Sequence, residues 1–110
     1  MLSFPRLDVY RCAIDLLALA ATIDCPRGLS PLADQLRRAA LSVPRNVAEA
    51  AGRNSDADAA RHCAVARGSA MDCAAIMDSL LVSKVLDEQR QKGAIELLGR
   101  IVAMRTRLCR

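Results

Sequence analysis

Three breaks divide this chain into four stretches of helical periodicity, and that division limits its possible folds more than any other feature. Asp24-Cys25-Pro26-Arg27-Gly28 opposes a helix through both Pro26 and Gly28. Gly52-Arg53-Asn54-Ser55 reads as a stop, a turn and a new cap, and Ser83 to Glu88 forms the last connection. In the first stretch, from about Pro5 to Ile23, Tyr10, Ala13, Ile14, Leu17 and Ala21 recur at i, i+3, i+4, i+7 and i+11. They form one apolar stripe, the predicted core face, opposite Asp8, Arg11, Asp15 and Thr22. Cys12, Leu16, Leu19 and Ile23 fall outside that division, beside the polar face.

The second stretch restarts at Ser30-Pro31, with Ser30 expected as N-cap and Pro31 as first helical residue. Leu32, Leu36, Ala40, Val43, Val47 and Ala51 share one face, and Asp34, Arg38, Arg45 and Glu49 the other. That phase survives across Pro44, which predicts one helix kinked there rather than two. Leu41 is an apolar residue on the polar side. In the third stretch Ser55 and Asp58 resemble a capping box with Asp in place of Glu, and the helix is predicted to reach about Val82. Ala59, Cys63, Ala66, Ala70, Cys73, Met77 and Leu81 make its core stripe, which Ala60, Ala64, Met71 and Ala74 widen. Gly68-Ser69 lies inside this pattern, where the glycine is expected to allow close helix contact. The fourth stretch runs from about Glu88 to Leu108, with Ala94, Leu97, Leu98, Ile101, Met104 and Leu108 inward.

Composition agrees with helices. Of 110 residues 53% are hydrophobic, mostly Ala, Leu, Val and Ile, while Phe4 and Tyr10 are the only aromatics. One domain spanning 1–110 is expected: an all-α, up-down-up-down antiparallel four-helix bundle. No run approaches the roughly 20 apolar residues of a membrane span. The N-terminus lacks the basic and apolar regions of a signal peptide, so a cytoplasmic location is expected.

Chemistry is sparse. Cys12, Cys25, Cys63, Cys73 and Cys109 are widely spaced, without CxxC, and read as reduced thiols packed in helices. The lone His62 cannot face Cys63, because helical neighbours point about 100° apart. No catalytic residue, metal site or cofactor site is predicted, and the chain is not expected to be an enzyme. Asn46 and Glu49, a turn apart just after Pro44, and Arg53 form a polar set. They are expected to brace the kink and the turn, with a small ligand notch as the alternative.

The net charge of +4 is uneven: residues 84–110 hold seven basic against three acidic groups, and elsewhere the two balance. Lys92, Arg100, Arg107 and Arg110 fall on one side of the fourth helix, interrupted by Glu96. Fourteen of the sixteen basic residues are Arg, which suits bidentate contact with phosphate. This face either binds the backbone of RNA or DNA or is a solvated helix surface. The scarcity of aromatics argues against base-stacking modules, so any binding is expected to be backbone-directed.

Gln35-Leu36-Arg37-Arg38-Ala39-Ala40, Ser42-Val43-Pro44-Arg45-Asn46-Val47-Ala48-Glu49, Gly52-Arg53-Asn54-Ser55 and Ala66-Arg67-Gly68-Ser69 together resemble one bacterial family. It is the four-helix bundle family of proteins encoded in 23S ribosomal RNA intervening sequences. The accessory variability determinant of diversity-generating retroelements is similar to it. The likeness covers nearly the whole chain, with Ala50 where the family usually has Gly, Asp58 where Glu is common, and His62-Cys63 replacing an aromatic-aliphatic pair. The resemblance implies a ring-like homo-oligomer, a pentamer, with a basic surface that in the retroelement relative serves nucleic acid and reverse transcriptase. Cys12, Leu16, Leu19, Ile23 and Leu41, outside the predicted core stripes, are the expected subunit interface. The expected function is therefore a non-enzymatic oligomer holding nucleic acid through its arginines. The alternative is an adaptor that holds another protein.

Overall fold

The computed structural model describes residues 4–104, with side chains described from Arg6 onward. Its elements are α1 (Phe4–Ala21), a short 3-10 turn at Arg27–Leu29, α2 (Ser30–Ala51), α3 (Asp56–Val82) and α4 (Glu88–Val102). Each helix packs on its two neighbours in the cyclic order α1, α2, α3, α4, and no diagonal pair of backbones comes close among the described residues. The fold is an all-α four-helix bundle. No helix among the described residues is long and apolar enough to cross a membrane.

The helix ends follow from local chemistry, with one exception. Ser55 is extended and its hydroxyl accepts the backbone N–H of Asp58 at 3.1 Å, capping α3 as its sequence predicts. Asp87 does the same for α4, accepting from the N–H of Arg90 at 2.8 Å. Ser30 does not cap α2. The 3-10 turn runs straight into the helix, so the Ser30 N–H already bonds the Arg27 carbonyl and Leu29 takes the cap position. α3 ends in a Schellman turn: the N–H of Val85 bonds Leu80 O at 2.9 Å and that of Lys84 bonds Leu81 O at 3.0 Å. The turn puts Lys84 at φ 61, the left-handed region that suits glycine. α2 continues through the buried Pro44 as a single helix.

The core is built from residues at helical spacing on the inner face of each element. In α2 it comprises Ala33, Leu36, Ala40, Val43, Pro44, Val47 and Ala50, and in α3 Ala59, Cys63, Ala66, Ala70, Cys73, Met77 and Leu80. Ala94, Leu98, Ile101 and Met104 complete it from α4, close to expectation, whereas Leu108 lies outside the described residues.

α1 corrects the expected phase. Val9, Cys12, Ala13, Leu16, Ala20 and Ile23 are buried, and Tyr10, Ile14, Leu17 and Ala21 are rotated onto the flank. The chain's own core thus covers Cys12, Leu16 and Ile23, which were expected to form an exposed interface. Leu19 is half-buried against that core. The physical reason is that α1 carries apolar residues on nearly every side. Several rotations bury similar areas, and the neighbours α2 and α4 choose between them.

Candidate functional site

The α2–α3 seam holds a chain of hydrogen bonds that flanks Pro44, from Ser42 on one side to Asn46 on the other. Asn46 Nδ2 donates to the carbonyl of Ser42 at 2.8 Å and to its hydroxyl at 3.1 Å. Across the seam, Ser69 Oγ donates to Ser42 Oγ at 2.7 Å. Asn46 Oδ1 lies 3.0 Å from His62 Nδ1, and Arg61 Nη2 lies 3.2 Å from His62 Nε2. Because Asn46 spends its amide N–H on Ser42 and a guanidinium only donates, one proton arrangement fits. His62 carries hydrogen on Nδ1 and accepts from Arg61 on Nε2.

Arg61 in turn donates to Asp58 at 2.9 Å, and Asp58 pairs with Arg53 at 3.5 Å. Arg53 also pairs with Glu49, so one guanidinium joins the end of α2 to the start of α3 across the turn. The bond from Arg61, aided by the charges of Arg61 and Arg53, holds the Asp58 carboxyl below its ordinary value of 3.8. Glu49 and Arg53 therefore span the turn, while Asn46 ties α2 to α3 through Ser42 and His62. Asn46 grips the carbonyl of Ser42, not that of Ala40, the group deprived of its donor by Pro44. His62, Ser42 and Ser69 belong to the same network without having been predicted. Their signal was present in the i, i+4 spacing of Ser42 and Asn46 and the i, i+7 spacing of His62 and Ser69.

The basic stripe of α4 is only partly free. Lys92 is exposed, but Arg100 Nη2 donates to Asp8 Oδ1 at 2.9 Å and Oδ2 at 3.0 Å, tying α4 to α1. Arg107 and Arg110 lie outside the described residues. Arg90 is also committed, bonding Asp87 at 2.6 Å and the Thr22 carbonyl at 3.1 Å. On α2, by contrast, Arg38 and Arg45 are exposed, lie seven residues apart on one face and make no ion pair among the described residues.

Two apolar flanks lie on opposite sides of the bundle. Arg37 donates to Ile23 O at 3.4 Å, which marks the side of α2 facing α1. Leu41 is one turn further on that side and 44% exposed, near the flank of α1 that carries Tyr10, Ile14 and Leu17. On the far side, Gln91 donates to Asp78 Oδ1 at 2.7 Å and Arg67 to Met104 O at 3.0 Å, which marks the α3–α4 seam. Met71 and Val82 on α3 and Ile95 on α4 stand beside these contacts at 55%, 81% and 56% exposure. Met71 was expected to widen the core and does not. Gly68 has no neighbour within 4 Å of where a Cβ would sit, so it mediates no close helix contact among the described residues.

The thiols divide. Cys12, Cys25 and Cys73 are free, and burial pushes Cys73 up to about 12. Burial raises Cys12 too, against the opposing charge of Arg100. Cys63 is disulfide-bonded and corrects the expectation of reduced thiols, since spacing along a chain does not say which sulfurs helix packing brings together. Cys109 lies outside the described residues. No group of three or more His, Cys, Asp or Glu is placed to hold a metal ion among the described residues.

A sequence model of the family described as 23S rRNA-intervening sequence protein matches residues 6–107. A comparison with curated proteins finds no match.

Proposed function

The chain belongs to the 23S rRNA-intervening sequence protein family, and we propose that it works without catalysis, as a homo-oligomeric scaffold holding the backbone of RNA or DNA. The observation that carries this reading is the pair of exposed apolar flanks on opposite sides of the bundle. Exposed large apolar residues normally stand singly on a monomer, and grouped ones mark an interface. Different patches on opposite sides favour head-to-tail association, which yields a ring when the rotation between copies closes. The expected interface thus moves from Cys12, Leu16 and Ile23 to Ile14 and Leu41 on one side and Met71, Val82 and Ile95 on the other. A closed ring is compatible with the pentamer that the family resemblance implies.

Repetition around a ring would pool the charge of each copy and strengthen its field. Arg38, Arg45 and Lys92 supply cations without an ion pair among the described residues. Contacts of this kind are made to phosphate and weaken steeply with salt.

The alternative is a protein-interaction adaptor, and the commitment of Arg100 to Asp8 favours it, because one of the four cations first assigned to nucleic acid is already paired. Light scattering at low and high salt, with and without a structured RNA, tests both. An oligomer that gains mass from RNA only at low salt supports the scaffold. An oligomer indifferent to RNA leaves the adaptor, and a monomer removes the assembly reading altogether.

A further inference from the structure

We propose that the groove between α2 and α3 is a guanine-binding site. The groove has a volume of about 460 Å³ and is lined by Gln35, Arg38 and Ala39 from α2 and by Asp72, Ala75 and Ile76 from α3. It begins one turn beyond the 2.7 Å bond between Ser69 and Ser42, which holds the helices together at that end. Up to that point the seam's polar side chains satisfy one another. Beyond it they do not.

Arg38 and Asp72 line the same groove, yet neither makes an ion pair or hydrogen bond among the described residues. Gln35 is also without a hydrogen-bond partner among the described residues. Arg38 and Asp72 thus line one trough without pairing, and its other walls are Gln35, Ala39, Ala75 and Ile76.

The donor inventory specifies what fits. A guanidinium offers only donors and an ionised carboxylate only acceptors. A ligand bridging them must present neighbouring acceptors on one edge, neighbouring donors on the next, and a flat body for the aliphatic lining. Guanine does so: O6 and N7 accept from an arginine, while N1–H and the N2 amino group donate to a carboxylate. The Watson–Crick edges of adenine, cytosine and uracil each mix donor and acceptor, and would set a lone pair against Asp72. Gln35, which both donates and accepts, suits the sugar hydroxyls.

The site rests on the nucleic-acid reading for the source of its ligand, an unpaired guanine in single-stranded RNA. A free guanine nucleotide carries the same edges. Arg45, two turns from Arg38 on the same exposed face, is placed to meet the backbone rather than the base.

The test uses the full chain and short single-stranded RNAs that differ in one central base, read by fluorescence anisotropy. In parallel, 5′-GMP and 5′-AMP are titrated and followed by backbone NMR shifts. Guanine RNA is expected to bind about tenfold tighter than adenine RNA. Asp72→Asn and Arg38→Gln should abolish that preference, and Arg45→Ala should weaken all RNAs alike while keeping it. Shifts confined to the groove with GMP, without RNA binding, would retain the guanine site and remove the nucleic-acid scaffold. Equal affinity for guanine and adenine RNAs overturns the groove and leaves backbone binding standing. Binding of neither RNA nor GMP removes both.

Discussion

Arg100 of α4 reaches both carboxylate oxygens of Asp8 on α1, at 2.9 and 3.0 Å, and so closes the ring of four helices on the side where the chain's first and last described elements meet. The same residue was a candidate for holding phosphate. A guanidinium paired in this way must break the pair or share it before it can take another anion.

Asp8→Asn removes the competing charge. The pair is about half exposed, so the stability cost is expected to be small. RNA affinity at low salt is expected to rise as Arg100 becomes available. Urea denaturation and anisotropy on the same variant measure both. Unchanged affinity would mean that Arg100 does not face the nucleic acid.

Asn46 is the hinge of the α2–α3 network, bonded to Ser42 and His62 at once. Asn46→Ala leaves the part-buried Nδ1–H of His62 without its acceptor and is expected to cost about 1–3 kcal/mol. A double-mutant cycle with His62→Ala should give a coupling above about 0.5 kcal/mol, since the residues touch. Additive effects would show that the bond contributes nothing.

Lys84 occupies a left-handed position at φ 61 in the turn after α3. Glycine takes that conformation without the Cβ penalty, so Lys84→Gly is expected to stabilise the fold by about 0.5–1 kcal/mol. Thermal unfolding should show a rise of a few degrees. A fall would mean that Lys84 makes a compensating contact.

The backbone N–H of Arg90, and then its guanidinium, hold the Asp87 carboxyl below its ordinary value of 3.8. The unfolded chain therefore binds this proton more readily than the folded one. The cap's stabilisation is present above the ordinary value and is lost as pH falls through the lower, folded value. A melting series between about pH 5 and about pH 2 should decline in the native chain, and more gently in Asp87→Asn. Parallel slopes would contradict the assignment.

Leu16 and Leu41 separate core from flank. Leu16 is fully buried, and Leu16→Ala is expected to cost about 2–5 kcal/mol. Leu41, 44% exposed, should tolerate Leu41→Ser within about 0.5 kcal/mol while reducing the mass seen by light scattering. An unchanged mass would exclude that flank as the subunit interface.

Much of this architecture follows from short-range chemistry and is legible in the residues alone. Proline, glycine and capping side chains act within a turn of themselves. The breaks at 24–28 and 52–55, the Ser55 cap and the continuation of α2 through Pro44 could therefore be read without a partner helix. The inner faces of α2 and α4 were legible because each has one polar and one apolar side. Asn46, Glu49 and Arg53 stood out for the same reason: they lie within two turns of one another.

What only the tertiary structure decided depends on residues far apart in the chain. The rotation of α1 was set by α2 and α4, because a helix apolar on most sides carries no phase of its own. Arg100 and Asp8 are 92 positions apart, Ser69 and Ser42 are 27, and Asn46 and His62 are 16. A local pattern identifies each as polar, but only the packed helices determine which of them meet and which, like Arg38 and Asp72, share a groove with no bond between them.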